Sequence, residues 1–211
     1  MKPDFTKKPN FNKQILRAIR DHKDIVERIM SPMGNKLITS IEHASKTIYS
    51  AFKNGKKVLL FGNGGSAADA EHIAGELLGR FRTERVPLPA IALTTNAAVL
   101  TAIANDYTFE NVYKRQVGAL ANVGDVVIGI TTSGSSPNVL NALVLAHNKS
   151  AITIGMTGHI NPDIVHPFRI LKPDIHIEVP AMPTARVQEM HIMIGHIICQ
   201  LIEHQLVEEA K

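Results

Sequence analysis

Short apolar runs alternating with helix-like segments constrain this chain more than any other feature. Val58-Leu59-Leu60-Phe61, Ala90-Ile91-Ala92-Leu93, Val126-Val127-Ile128-Gly129-Ile130, Ala151-Ile152-Thr153-Ile154 and Ile175-His176-Ile177-Glu178-Val179 are the runs. Segments with helical spacing stand between them, up to Leu78 after the first, over 96–104, 109–120 and 137–147, and over 184–207 after the last. An apolar run without polar alternation is buried on both faces, as in a parallel strand whose crossover helices cover the sheet. The expected fold is α/β: a three-layer α/β/α sandwich around a parallel five-stranded sheet. Residues 157–174, with Gly158, Pro162, Pro167 and Pro173, read as an irregular loop that leaves His166 and Arg169 without an evident use.

Two amphipathic segments precede the first run. Ile15, Ile19, Val26 and Ile29 recur with helical period, as do Leu37, Ile38, Ile41, Ala44, Ile48 and Phe52, and Ser31-Pro32-Met33-Gly34 breaks the chain between them. The expected organisation is an N-terminal extension (1–10), a helical hairpin (11–54) used in oligomerisation, and one α/β domain (55–211). The hairpin and the last helix carry more apolar surface than a single three-layer domain needs, which points to a homo-oligomer.

With 211 residues, 45% of them hydrophobic, the chain can bury a core without staples, which excludes disorder and disulfide scaffolds. The lone Cys199 can form no internal disulfide and implies a reducing compartment. The first residues lack the apolar segment of a signal peptide, and no run of about 18 apolar residues exists, so a soluble, cytoplasmic protein without membrane contact is expected. The net charge of +4 is scattered, Trp is absent and aromatics make up only 5%, which argues against a nucleic-acid partner. A mild basic excess does suit an anionic small substrate.

Two junctions carry the chemistry. Gly62-Asn63-Gly64-Gly65-Ser66 follows the first run, and Thr131-Thr132-Ser133-Gly134-Ser135-Ser136 the third. Both belong at the carboxyl edge of a parallel sheet, where ligands bind. Free N–H groups at a helix start suit phosphate, and hydroxyls add donors. Ser66 and Ser136 taken singly are also explained as helix caps, but six consecutive small or hydroxyl residues exceed what a cap needs. Gly62, Gly64 and Ala67 also fit G-x-G-x-x-A, yet the second run ends in Thr94-Thr95-Asn96 without the acid a ribose requires, which argues against NAD.

His72 and Glu76 are four apart, hence on one helical face. Together they suit a metal, acid/base work or merely a surface pair. The last helix, apolar nearly all round, includes Gln188, Glu189, His191 and His196, which need partners if buried.

Taken together, Gly62 through Ala70 with His72 and Glu76, Thr132-Ser133-Gly134 with Ser136, and Ala185-Arg186-Val187-Gln188-Glu189-Met190-His191 resemble the SIS (sugar isomerase) family, over about residues 35–206. Within it they look most like the bacterial members that convert sedoheptulose 7-phosphate to D-glycero-D-manno-heptose 7-phosphate through an enediol. The resemblance implies the SIS fold, flavodoxin-like or Rossmann-like. It implies substrate contacts at Asn63, Gly64, Gly65, Ser66, Glu76, Asn105, Asp106, Thr131, Thr132, Ser133, Ser136 and Gln188. It makes Glu76 and His196 the acid/base pair. It makes His72, Glu76, Gln188 and His196 the ligands of one Zn²⁺ per subunit. It further implies a homotetramer serving heptose supply for lipopolysaccharide core or other surface glycans. A non-catalytic SIS protein that binds the replication initiator is the alternative. Its counterparts of Glu76 and His196 are not Glu and His, which favours the enzyme. Thr131 stands where Ser is frequent, and Ala185 where some members carry an acid. Gln188 and His196, eight apart, sit about 12 Å apart along a helix, so the two ligands either converge or serve different subunits' sites.

Overall fold

The apolar runs become five strands, β1 (Val58–Gly62), β2 (Ala90–Ala92), β3 (Val126–Ile130), β4 (Ile152–Thr157) and β5 (Ile175–Glu178). The computed structural model describes residues 10–161, 163, 165–181 and 183–209; most of the expected N-terminal extension lies outside them. All neighbouring strands are parallel, in the order β2-β1-β3-β4-β5. That is the flavodoxin-like order of the doubly wound folds. β4 continues past Ile154 because Gly155, Met156 and Thr157 pair with His176, Ile177 and Glu178.

The right-handed crossover rule fixes the layers. From β1 the chain winds one way to β2, and from β3 the other way to β4, so the connecting helices fall on opposite faces. One face carries α2 (Asn35–Lys53), α3 (Gly65–Leu78) and α8 (Thr184–Glu209) against Val58, Leu60, Val126, Ile128 and Ile130. The other carries α5 (Val112–Leu120) and α6 (Pro137–Asn148) against Leu59, Phe61 and Val127. The period-2 alternation of each strand thus feeds two separate cores.

Residues 157–174 depart from the expected irregular loop. They contain a short helix, α7 (Pro167–Leu171), whose Phe168 is buried over β4. A Cβ on Gly155 would lie 2.0 Å from Phe168 Cζ, so only Gly admits the ring. His166 Nδ1 accepts the Phe168 N–H at 3.3 Å, and Arg169 donates to the Ile160 carbonyl at 2.8 Å. Both side chains therefore build this segment.

Two helices remain, α4 (Ala97–Asp106) and α1 (Phe11–Met30). α1 buries only Ile25, while Phe11, Ile15, Leu16 and Ile19 are all more than half exposed. Among the described residues no helix is long and apolar enough to cross a membrane.

At the sheet's amino edge, buried Asp125 accepts from Lys57 Nζ (2.5 Å), the Lys57 N–H (3.1 Å) and the Asn122 N–H (2.7 Å). Burial pushes its carboxyl pKa up, but these bonds outweigh burial and hold it below the ordinary value. A depressed carboxylate stabilises the fold above its unfolded pKa, and this is lost as pH falls through the folded one. Asp125→Asn should therefore lower the urea midpoint near neutrality. The difference from the unaltered chain should shrink as both are taken below about pH 4. A midpoint difference independent of pH would show that the ionised form contributes nothing.

Candidate active site

The crevice between β1 and β3 is where the sheet order reverses, and both hydroxyl- and glycine-rich loops open there. Gly64 starts α3 at φ 56°, ψ −119°, a conformation that side-chain-bearing residues rarely adopt. Asn10 and Asn96 cap α1 and α4 with their side chains, whereas α3 and α6 have no side-chain cap. Ser66 lies inside α3, buried, and is not its cap. Ser136 occupies the cap position of α6 but turns its Oγ to Thr131 Oγ1 at 3.0 Å. Ser133 and Ser135 pair at 2.8 Å at the exposed rim, with Thr132 half-buried beside them. Two helix starts without an N-cap side chain thus open at one crevice, where their dipoles and the loop hydroxyls suit an anion, although α6 begins with Pro137, which has no N–H, and its Val139 N–H is accepted by Asn138 Oδ1 at 3.0 Å.

The two loops are locked together. Asn63 Nδ2 donates to Asn138 Oδ1 at 2.9 Å, and Asn138 Nδ2 returns the bond to Asn63 Oδ1 at 2.8 Å. Tyr113, its hydroxyl pKa pushed up to about 12 chiefly by burial, donates to the Gly62 carbonyl. Asn63, expected as a substrate contact, therefore uses its side-chain amide to join the loops.

α3 and α8 lie side by side and parallel, with Gly65 facing Gln188, Ile73 facing Gly195 and residues 81–83 facing Glu203. This register brings His72, Glu76 and His196 together. His72 Nε2 lies 2.8 Å from His196 Nε2 and 3.3 Å from Glu76 Oε1, and one donor atom from each falls within 4.8 Å of the others. The three form a possible metal-binding triad. Two imidazoles and a carboxylate are the N/O donor set zinc accepts, and tetrahedral donors about 2.1 Å from the ion stand about 3.4 Å apart. The His72–Glu76 separation of 3.3 Å matches that value, and the His72–His196 contact of 2.8 Å would open by about 0.6 Å around such an ion, so the donor set suits it.

Gln188 sits about two turns before His196 on α8. Its Nε2 donates to Asp69 Oδ1 at 2.6 Å, which leaves its carbonyl oxygen free of that bond. Asp69 is buried, and its Oδ2 has no partner among the described residues. Burial raises the Asp69 pKa, more than the Gln188 bond and the His72 ring lower it. Nothing in the sequence pattern singled out Asp69. Phe81 was also missed; its ring stacks on His196 at 5.5 Å and 27°.

His191 is the fully buried histidine of α8. Burial pushes its pKa down to about 4, so it is a neutral core imidazole. Asn105 and Asp106 are exposed at the end of α4, where Asn105 Nδ2 donates to Asp106 Oδ1 at 2.9 Å.

The model of the SIS domain family matches residues 21–158. A phosphoheptose isomerase of Geobacter metallireducens is 46% identical over 92% of this chain and 98% of its own. One from Aquifex aeolicus is 53% identical over 77% of this chain and 83% of its own. The solved structure of a phosphoheptose isomerase from Francisella tularensis superposes with a TM-score of 0.83 at 35% identity, covering 93% of this chain and all of that one.

Proposed function

The chain belongs to the SIS domain family, and from that membership we propose that the β1/β3 crevice and the α3–α8 cluster form one sugar-phosphate site. The protein is an aldose–ketose isomerase that converts sedoheptulose 7-phosphate to D-glycero-D-manno-heptose 7-phosphate, as the names of its relatives indicate. The initiator-binding reading has no support among these relatives. The observation that carries the site assignment is the convergence of His72, Glu76 and His196 on α3 and α8, where α3 itself starts at the glycine-rich loop of the β1/β3 crevice.

The phosphate belongs at the loop of Thr131, Thr132, Ser133 and Ser136, with Ser66 close by, where hydroxyls bond one another and, among the described residues, no carboxylate. The sugar belongs along Asn63, Gly64 and Gly65 toward Gln188 and Glu76. Glu76 takes the proton from C1, an enediol forms, and the proton returns at C2. His196 gives and takes the proton at the two oxygens. With no ion between them, the 2.8 Å contact between His72 Nε2 and His196 Nε2 requires one nitrogen to carry a proton and the other to accept it, and ligation of an ion by both nitrogens would release that proton.

His72, Glu76, Gln188 and His196 would hold one Zn²⁺ per subunit. Bound there, the ion supplies Lewis-acid polarisation of the carbonyl. Asn105 and Asp106, paired with each other in the single chain, would reach substrate from a neighbouring subunit. The exposed apolar stripe of α1 and the groove of Ile38, Ile41, Met193, Ile197 and Leu201 between α2 and α8 support assembly through the 11–54 hairpin on the 55–211 domain. The assembly is a homotetramer, working in the cytoplasm to supply heptose for lipopolysaccharide core or other surface glycans.

The test is conversion of sedoheptulose 7-phosphate, followed by NMR with zinc supplied; absence of turnover in the zinc-loaded protein overturns the reading. Two further results are expected. Ser133→Ala should raise KM about 10- to 100-fold by loss of one charge-assisted bond to phosphate, with kcat little changed; an unchanged KM removes this loop as the phosphate cradle. Ile15→Glu with Ile19→Glu should convert a four-chain mass in light scattering to a smaller species, and an unchanged mass would remove α1 from the interface.

A further inference from the structure

Glu203 and Arg85 lie outside every group the isomerase reading uses, yet they are the most heavily bonded buried charges near the site. Glu203 is 4% exposed on α8. Its carboxylate accepts three consecutive backbone N–H groups: Phe81 at 3.1 Å, Arg82 at 3.0 and 3.2 Å, and Thr83 at 2.5 Å. Successive N–H groups converging on one anion form a nest. Burial pushes the Glu203 pKa up, but these bonds outweigh it and hold it below the ordinary value.

Arg85 closes the other side. Its Nη2 donates to the Glu76 carbonyl at 2.7 Å, and its Nη1 to the carbonyls of Leu77 at 2.9 Å, Gly79 at 3.2 Å and Val86 at 2.9 Å. Carbonyls in the last turn of a helix have no intrahelical donor, so the guanidinium supplies what the end of α3 lacks. Arg85 Nε, buried and without a hydrogen-bond partner among the described residues, faces Glu203 Oε2 at 3.7 Å, an ionic contact.

We propose that Glu203 and Arg85 form a clasp that sets the register of α8 against α3, and thereby the convergence of His196 on His72 and Glu76. Glu203 follows His196 by seven residues, two turns along the same helix face. Arg85 grips α3 at the backbone of Glu76 itself. The loop between them carries Phe81, whose ring stacks on the His196 imidazole, so the clasp constrains both the helix and the ring. Glu203 and Arg85 are positioning residues: they touch neither substrate nor ion. The consequence for the site rests on the metal and isomerase reading above.

Glu203→Gln replaces one acceptor oxygen with an N–H₂ that faces N–H donors. Arg85→Lys keeps the charge and loses the fork. Asp125→Asn is the control, a buried carboxylate that also accepts backbone N–H groups but bonds Lys57 and Asn122 and touches neither the 81–83 loop nor Arg85. Zinc affinity is measured by titration against a chelator, and site geometry by the visible ligand-field spectrum of the Co(II)-loaded chain. Glu203→Gln should lower zinc affinity about 10- to 100-fold and alter the cobalt spectrum, with a smaller loss for Arg85→Lys. Asp125→Asn should lose stability with affinity and spectrum unchanged. Unaltered affinity in Glu203→Gln, or an equal loss in Asp125→Asn, overturns the proposal. If the unaltered chain binds neither metal, the metal reading fails. The clasp is then decided by amide exchange: faster exchange at Phe81, Arg82, Thr83 and the last turn of α3 in Glu203→Gln, with β3 unaffected, supports it, and unchanged exchange overturns it.

Discussion

Glu76→Gln should lower the turnover of sedoheptulose 7-phosphate by about 10²-fold or more while leaving the fold intact. The amide has the size of the carboxylate and can hydrogen-bond, but it cannot accept the C1 proton. Little else in the fold depends on the side chain, whose further role is in the proposed metal set. Glu76 is 22% exposed and meets His72 at 3.3 Å. The anchor that Arg85 makes at this residue is to the backbone carbonyl, which the substitution leaves in place. Circular dichroism and thermal unfolding should therefore match the unaltered chain. Turnover is read as aldose formed and, in D₂O, as deuterium entering the carbon that receives the proton. A folded variant with near-normal turnover would take Glu76 out of the proton path and leave it at most a ligand.

How far such a site is readable from sequence depends on how local its determinants are. The strands were legible because Val58-Leu59-Leu60-Phe61 and Val126-Val127-Ile128 are buried on both faces, and burial writes itself into consecutive residues. The two loops were legible because Gly, Ser and Thr at a strand-to-helix junction answer a local demand for tight backbone and free donors. α7 was not: five residues that begin with Pro are too short for a period, and the helix exists because Phe168 needs the space over Gly155. Asp69, Asn138 and Glu203 went unread for a different reason. Their partners lie 119, 75 and 120–122 residues away in the chain, and each reads singly as an ordinary polar residue in a helix. The spacing of Gln188 and His196 had looked awkward for shared work on one helix. The parallel neighbour bears on it: α3 sets Asp69 opposite Gln188 and His72 opposite His196, two contacts along one helix–helix seam.

His196→Asn should reduce both zinc affinity and turnover by about 10²-fold or more. The imidazole has three relations at once: Nε2 against His72 Nε2 at 2.8 Å, its face against Phe81, and its place within reach of Glu76. Asparagine retains polarity at the position but is shorter, offers no nitrogen lone pair, and cannot carry a proton between two oxygens. His72 would lose the partner that shares its proton, and its ring would be free to turn toward solvent, since it is already nearly half exposed. Stability should change little, because the core of α8 is made by Val187, Met190, Ile194, Ile198 and Ile202. Zinc binding is measured against a competing chelator and turnover with zinc in excess, and the two readouts separate the roles. Affinity lost with turnover restored at high zinc would make His196 a ligand alone. Turnover lost at full zinc occupancy would make it the acid as well. Full affinity and full turnover together would remove His196 from the site and leave the convergence of the two helices without a chemical use.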